Sequence, residues 1–310
     1  MISSIDGDIV VVDLGGTSIW IGYLRNGIPS TESLSMSSEI LRVEDSYQVL
    51  AEVIRKFIEQ RYLQVVAVVL GIPAILDKTN DSLSHCNNIP QLEGHGLRQN
   101  LSTMLSCQVL LEQDIMLQLL GEWRQGAAMG CPWVIGVYFG TGIGSACLEN
   151  GDPNKRNAAS LQAGHIPIMA QGKPCVCGNT DCIEAYACGH TLVSLASQYE
   201  CPIDALFVQN ESTQLVKELD QFVVYQAYML ATLITLFLPD MIVVGGGIPK
   251  MKGYPRDKLI SYTRRQLQRP CPSNSVQINW ATLGSASVLH GALALLEDKN
   301  TRSTNLRNPV

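Results

Sequence analysis

The stretch Ile9–Gly27, IVVVDLGGTSIWIGYLRNG, reads as a strand, a glycine turn and a second strand closed by an Asn-Gly pair. Ile9–Leu14 is a short run rich in β-branched residues, which favours an extended chain. Gly15-Gly16-Thr17 interrupts it, Ile19–Leu24 resumes it, and Asn26-Gly27 is the pair that a two-residue hairpin turn prefers. The same plan recurs at Val134–Gly151, VIGVYFGTGIGSACLENG. There Val134–Phe139 enters the turn Gly140-Thr141-Gly142-Ile143-Gly144, and Ser145–Leu148 leads to Asn150-Gly151. One plan used twice in a chain of 310 residues predicts two domains with a cleft between them.

Working outward, helices fill the gaps. Ser46–Arg61 carries Val49, Leu50, Val53, Ile54, Phe57 and Ile58 at helical spacing, and feeds a strand at Val65–Leu70. Asp114 to Gln125 and Val288–Glu297 also read as helices, and Met241–Val244 as a strand. Strands alternating with helices make the class α/β. The expected division is an N-terminal domain over 1–120, rejoined by the C-terminal helix 288–298, and a larger domain over 121–287. The residues from Lys299 onward read as a loose tail.

Composition removes several function classes. The net charge of −6 disfavours a nucleic-acid partner, which selects for a basic face. The basic cluster Arg264, Arg265 and Arg269 reads as the solvated side of a helix. Phe222–Leu238 is apolar, but Gln226, two threonines and the absence of a basic flank favour a buried helix over a membrane span. The opening MISSIDGDIVVVDLGG has no basic n-region before its strand, so a cytoplasmic location is expected. In a reducing compartment, ten cysteines with three crowded into CVCGNTDC indicate metal rather than disulfides.

Four local patterns carry chemistry. In Asp13-Leu14-Gly15-Gly16-Thr17, paired glycines let backbone N–H groups approach a polyphosphate, the threonine adds a hydroxyl, and Asp13 can orient Mg²⁺ through water. Alone, this turn is as compatible with a plain hairpin. The second turn, with Gly140, Thr141, Gly142 and Gly144, changes that, because two phosphate-binding hairpins are what a kinase of the actin-like ATPase architecture needs. Gly245-Gly246-Gly247 ends a strand and permits close approach of adenosine, or simply a tight strand-to-helix connection. His165, Cys175, Cys177 and Cys182 have the spacing H-x9-C-x-C-x4-C, which supplies one imidazole and three thiolates. That is a closed tetrahedral set of the kind that holds structural zinc.

In order along the chain, DLGGT (Asp13–Thr17), GIP (Gly71–Pro73), NIP (Asn88–Pro90) and GTGIG (Gly140–Gly144) resemble the ROK family of bacterial sugar kinases and repressors. The resemblance continues through Gly164-His165, CVCGNTDCIE (Cys175–Glu184) and PDMIVVGGG (Pro239–Gly247). It implies a two-domain actin-like (ribonuclease H-like) fold, with sugar and ATP bound in the cleft between domains. It implies ATP-dependent phosphorylation of a hexose with Asp114 as general base, accepting the proton of the attacking hydroxyl. Asn88, His165 and Glu184 match residues that hold sugar hydroxyls, with Gln113 and Gln162 beside them. His165 would give one ring nitrogen to zinc and the other to sugar. Gly15, Gly16, Thr17 and the second turn would hold phosphates, and Gly246 and Gly247 would face the nucleoside. A homodimer is implied as well. Within the family, GIPAIL (Gly71–Leu76), LFV (Leu206–Val208), YPRDKL (Tyr254–Leu259) and QRPCP (Gln268–Pro272) are similar to D-allose kinases.

Several positions depart from the family pattern. Gln113 and Met116 stand where asparagines flank the base, Gln162 replaces a glutamate, Trp20 replaces a basic residue, and Ala74 replaces a glycine. An amide in place of a carboxylate changes which hydroxyl pattern is read. The competing readings are a kinase for another hexose or N-acetylhexosamine, and a sugar-binding regulator with impaired turnover. A DNA-binding repressor is disfavoured because twelve residues before Asp13 are too few for a helix-turn-helix. A purely structural zinc module leaves both Gly-Thr turns and Asp114 unexplained. Asp114 also opens a helix, where a carboxylate can serve as a cap.

Overall fold

A computed structural model of the chain describes residues 7–77, 81–86, 89–152, 161–168, 171–208, 212–269 and 275–307. Asn88, expected at the sugar, lies outside them. The chain divides into two compact units, Met1–Met129 with Leu283–Val310, and Gly130–Thr282.

In chain order the first unit contributes strands β1 (Asp8–Leu14), β2 (Ser18–Arg25) and β3 (Ile28–Ser37), helix α1 (Ser46–Gln60) and strand β4 (Val65–Ile72). The short strands β5 (Ile75–Asp77), β6 (Ser82–Ser84) and β7 (Gly94–His95) follow, then α2 (Leu97–Leu105), β8 (Gln108–Gln113) and α3 (Asp114–Gln125). The second unit holds β9 (Trp133–Phe139), β10 (Ile143–Glu149), α4 (Glu184–Ala187), α5 (Gly189–Gln198), α6 (Thr213–Phe237), β11 (Met241–Gly245), α7 (Arg256–Gln266) and β12 (Gln277–Trp280). The last helix, α8 (Ala286–Arg307), belongs to the first unit.

The sheet orders repeat the duplication seen in the sequence. The first unit runs β3-β2-β1-β4-β8 and the second β10-β9-β11-β12. In each, an antiparallel hairpin (β1–β2, β9–β10) leads into parallel strands (β4 and β8; β11 and β12). Both Asn-Gly pairs have positive φ at both residues, 50° and 78° at Asn26-Gly27 and 52° and 77° at Asn150-Gly151. That is the type I′ conformation, whose twist suits a tight hairpin.

Period-two alternation along β1 divides the first unit's core. Val10, Val12 and Leu14 pack with Leu50, Ile54 and Phe57 of α1 and Leu97 and Leu101 of α2. Ile9 and Val11 face the other side, with Leu117 of α3 and Val288, Leu289 and Ala292 of α8. The α3–α8 crossing is unusually close. A Cβ on Gly121 would lie 1.9 Å from the Ser287 carbonyl oxygen, and one on Gly291 would lie 2.0 Å from that of Leu117. Gly→Ala within a helix ordinarily stabilises by up to about 1 kcal/mol. Here Gly121→Ala or Gly291→Ala is expected to destabilise by about 1–3 kcal/mol, because the backbones must separate. A urea midpoint at or above wild type would refute this close packing.

Two sequence readings are corrected. The C-terminal helix continues past Lys299 to Arg307, where a loose tail was expected. The segment 299–307 contains neither glycine nor proline, the residues that most disfavour a helix interior. Arg264 is not a solvated residue, since it is half-buried and donates to the Val276 carbonyl. The apolar stretch at 222–238 belongs to α6, which begins earlier, where Ser212 caps it by accepting the Leu215 N–H at 3.2 Å. Among the described residues α6 is the one helix long and apolar enough to cross a membrane. Its Phe222, Val223, Ala227, Leu230 and Ile234 are buried in the second unit's core, which accounts for its composition.

Candidate functional site

In the first unit, β-sheet register gathers the acidic residues. Asp13 pairs with Gly71 across β1–β4, and Gly71 and Ile72 pair with Glu112 and Gln113 across β4–β8. Strand ends and the start of α3 therefore converge around Gly71. A Cβ on Gly71 would lie 3.2 Å from the Asp114 Cα and 3.5 Å from Asp13 Oδ1, so no larger residue fits between them comfortably. Among the described residues, Asp13 Oδ1 is buried without a hydrogen-bond partner. Burial, together with the charge of Asp114, pushes the Asp13 carboxyl up to about 7. Burial likewise raises Asp114 to about 6, although the N–H groups of Ile115 and Asp114 itself pull it back. Two carboxylates held together in low dielectric resist simultaneous ionisation. A buried orphan oxygen beside a second carboxylate is suited to a hydrated divalent cation, so these residues fit Mg²⁺.

The neighbours of Asp114 are less open. Gln113 is 5% exposed and its Nε2 donates to the Ala74 carbonyl at 3.1 Å. Met116 is buried in the unit. Trp20 packs against the Ile9/Val11 core, and its ring would meet a Cβ on Gly22 at 2.3 Å. The indole is thus a packing residue of β2.

Each glycine turn is closed by a backbone hydrogen bond, to a carbonyl three residues on in the first and two residues on in the second. In the first, Gly15 N–H donates to the Ser18 carbonyl at 2.7 Å, and in the second, Gly140 N–H donates to that of Gly142 at 2.9 Å. In each, the next two N–H groups (Gly16 and Thr17; Thr141 and Gly142) have no protein acceptor among the described residues. Consecutive unpaired N–H groups form an anion-binding concavity. Ser38 braces the first turn through its N–H to Thr17 and its hydroxyl to Gly16. Gly246, after β11, has φ +94° and lies against the Phe139 backbone, while a Cβ on Gly247 would meet nothing within 4 Å.

In the second unit the chain curls at Gly178 (φ +91°), bridging Pro174 to Thr180 and Pro167 to Cys182. This collects His165 and the three cysteines, whose ligand atoms all lie within 4.8 Å of one another. Cys175 Sγ is 3.6 Å from His165 Nδ1, and Cys177 Sγ is 3.7 Å from Cys182 Sγ. A zinc tetrahedron with ordinary Zn–N and Zn–S bonds has edges of about 3.5–3.8 Å, so the set fits zinc in size as well as chemistry. Asp181, at φ +60°, fixes the loop from outside the cluster. Its Oδ1 accepts the N–H groups of Gln171, Gly172 and Lys173 and the Tyr186 hydroxyl. No sequence pattern singled out Asp181, or Ser145, whose hydroxyl donates to Leu161 and accepts from Ala163 just before His165. Glu184 lies beside the second turn rather than in open space, and Gln162 is exposed.

A model of the ROK family matches residues 9–299. The chain belongs to the ROK family. An N-acetyl-D-glucosamine kinase of Escherichia coli (strain K12) is 27% identical over 256 residues, covering 76% of this chain and 82% of that protein. Among solved structures, the ROK hexokinase from Thermus thermophilus is 28% identical with a TM-score of 0.75, covering 94% of this chain and 99% of that one. A ROK family glucokinase from Streptomyces griseus, in complex with glucose and AMPPNP, superposes with a TM-score of 0.77 at 24% identity, covering 93% and 99%. The fold is thus the α/β, two-domain actin-like fold of ROK kinases.

Proposed function

We propose that this ROK-family chain is an ATP-dependent sugar kinase that phosphorylates a hexose, with D-allose, at its 6-hydroxyl, as the preferred substrate. The observation that carries the reading is the pair of glycine turns, each offering two unpaired N–H groups to an anion, in a chain that also holds Asp13 and Asp114 around Gly71. Phosphoryl transfer asks mainly for positioning and charge stabilisation, which such turns provide.

In this reading the first unit supplies Asp114 as general base, accepting the proton of the attacking hydroxyl at a carboxylate oxygen. Gly15, Gly16 and Thr17 hold phosphate oxygens through backbone N–H groups and the Thr17 hydroxyl. Asp13 would hold Mg²⁺ through water, and the bound ion supplies neutralisation of polyphosphate charge. The second unit supplies Gly140, Thr141, Gly142 and Gly144 to phosphate, Gly246 and Gly247 to the nucleoside, and Gln162, His165 and Glu184 to sugar hydroxyls. His165, Cys175, Cys177 and Cys182 would hold zinc through Nδ1 and three thiolates. That would leave the imidazole Nε2 for the sugar and fix the ring orientation. Asn88 and Gln113 complete the proposed sugar contacts. The D-allose assignment rests on the GIPAIL, LFV, YPRDKL and QRPCP segments.

A coupled ADP-release assay with MgATP over a panel of hexoses and N-acetylhexosamines tests this. The expected result is turnover with hexoses and the highest kcat/KM for D-allose. Preference for an N-acetylhexosamine would replace the sugar and leave the kinase. Sugar binding without ADP release would establish a binding protein. Gln162→Glu is expected to reorder kcat/KM among the sugars, because a carboxylate accepts from two hydroxyls where an amide accepts from one.

A further inference from the structure

Glu184 has a partner that a sugar contact does not explain. Its Oε2 accepts the backbone N–H of Ile143, inside the second glycine turn, at 2.7 Å. A Cβ on Gly142 would lie 2.7 Å from that same oxygen, so the turn is seated directly on the carboxylate. The other end of the turn is held by the same stretch of chain. Gly189 N–H donates to the Gly140 carbonyl at 2.8 Å, and a Cβ on Gly189 would collide with that oxygen. Glu184 itself follows closely on Cys182, whose segment is hydrogen-bonded through Ile183 N–H to the Ile166 carbonyl, next to His165. The His/Cys cluster, Glu184 and the Gly140–Gly144 turn therefore form one hydrogen-bonded block within the second unit.

We propose that Glu184 is a positioning residue for the phosphate turn. One carboxylate oxygen fixes the Ile143 amide, which sets the direction of the neighbouring Thr141 and Gly142 N–H groups, and the other oxygen remains for the sugar. This deepens the kinase reading and rests on it for the identity of the anion. A carboxylate that accepts a backbone N–H makes a charge-assisted hydrogen bond, which is shorter and stronger than a neutral one. Its loss leaves Ile143 N–H unpaired and frees the turn to rotate. Polyphosphate affinity then depends on Glu184 with no sugar present, whereas a residue that only binds sugar leaves that affinity untouched.

The test uses the full chain without sugar, measuring ADP binding by calorimetry and hydrogen exchange of the peptide covering 139–146. Glu184→Ala is expected to weaken ADP about tenfold and to speed exchange in that peptide. Glu184→Gln, whose amide oxygen can still accept from Ile143 but without the charge, is expected to fall between wild type and Glu184→Ala in both measurements. Glu184→Asp keeps the charge but withdraws the oxygen, and should behave like the alanine variant, so it serves if Glu184→Ala does not fold. Wild-type ADP affinity and wild-type exchange in Glu184→Asp or Glu184→Ala would overturn the proposal. If wild type binds no ADP, the kinase reading fails separately, and the exchange comparison still decides whether Glu184 holds the turn.

Discussion

Asp114→Asn is expected to lower kcat by about 10²- to 10⁴-fold, the usual contribution of a positioned base, while sugar affinity stays within about threefold. The substitution preserves size and most hydrogen bonding but cannot accept the hydroxyl proton. Its pH signature separates a base from a structural carboxylate. Burial raises Asp114 to about 6, so the ionised fraction of the free enzyme is lost as pH falls through that value. Wild-type kcat/KM should therefore rise with pH across the region around 6 and then level, and the asparagine variant should lack that limb. The stability consequence has the opposite sign. Both Asp13 and Asp114 bind protons more tightly in the native state than at their ordinary value of 3.8, so this pair's contribution to stability is present at low pH and declines as pH rises through about 6 and 7. Equal activity of Asp114→Asn and wild type, measured as ADP release, would remove Asp114 from the mechanism.

The parts of this structure legible in sequence are those with local signatures. The Asn-Gly pairs needed only their own backbone preferences to announce positive φ, and α1 followed from apolar spacing. Cysteine spacing alone predicted that His165 and the three thiols would meet. What sequence concealed depends on partners far along the chain. Glu122 is fully buried, and its carboxylate accepts the N–H of Ala127 at 2.8 Å and that of Leu283, 161 residues away, at 2.9 Å. It thereby ties together, within the first unit, the segments where the chain leaves for and returns from the second. No periodicity marks such a residue. Gly121 and Gly291 are similar, since a lone glycine in a helix reads as a mild defect until the facing backbone is known. The division of the chain falls after Met129, past the end of α3, because α3 packs on α8 along its length. Gln113 shows the same limit on a finer scale. Nothing in its position beside Asp114 indicates that its amide nitrogen donates to the Ala74 carbonyl, 39 residues away.

Removing zinc is expected to lower the melting temperature of the second unit by on the order of 10 °C. A metal bound a thousandfold more tightly than its free concentration requires contributes about 4 kcal/mol of linkage, and each kcal/mol shifts a domain of this size by about 2–4 °C. The geometry says where that stability goes. Cys182 is 1% exposed and bridges to Pro167, so its thiolate sits at the root of the loop rather than at its tip. Without a cation, three thiols and an imidazole within 4.8 Å have only weak hydrogen bonds to one another. Metal analysis of purified protein should find near one zinc per chain, and Cys177→Ser or Cys182→Ser should lose it. The Asp181 contacts to Gln171, Gly172, Lys173 and Tyr186 do not involve the thiols, so they should hold part of the loop in the metal-free protein. Chelation should therefore soften the unit without unfolding it, and added zinc should restore the melting point. Because His165 and Glu184 lie on the same hydrogen-bonded block, sugar affinity should fall with the metal before secondary structure does. A metal-free preparation with unchanged melting temperature and sugar affinity would show that the cluster holds no structural ion.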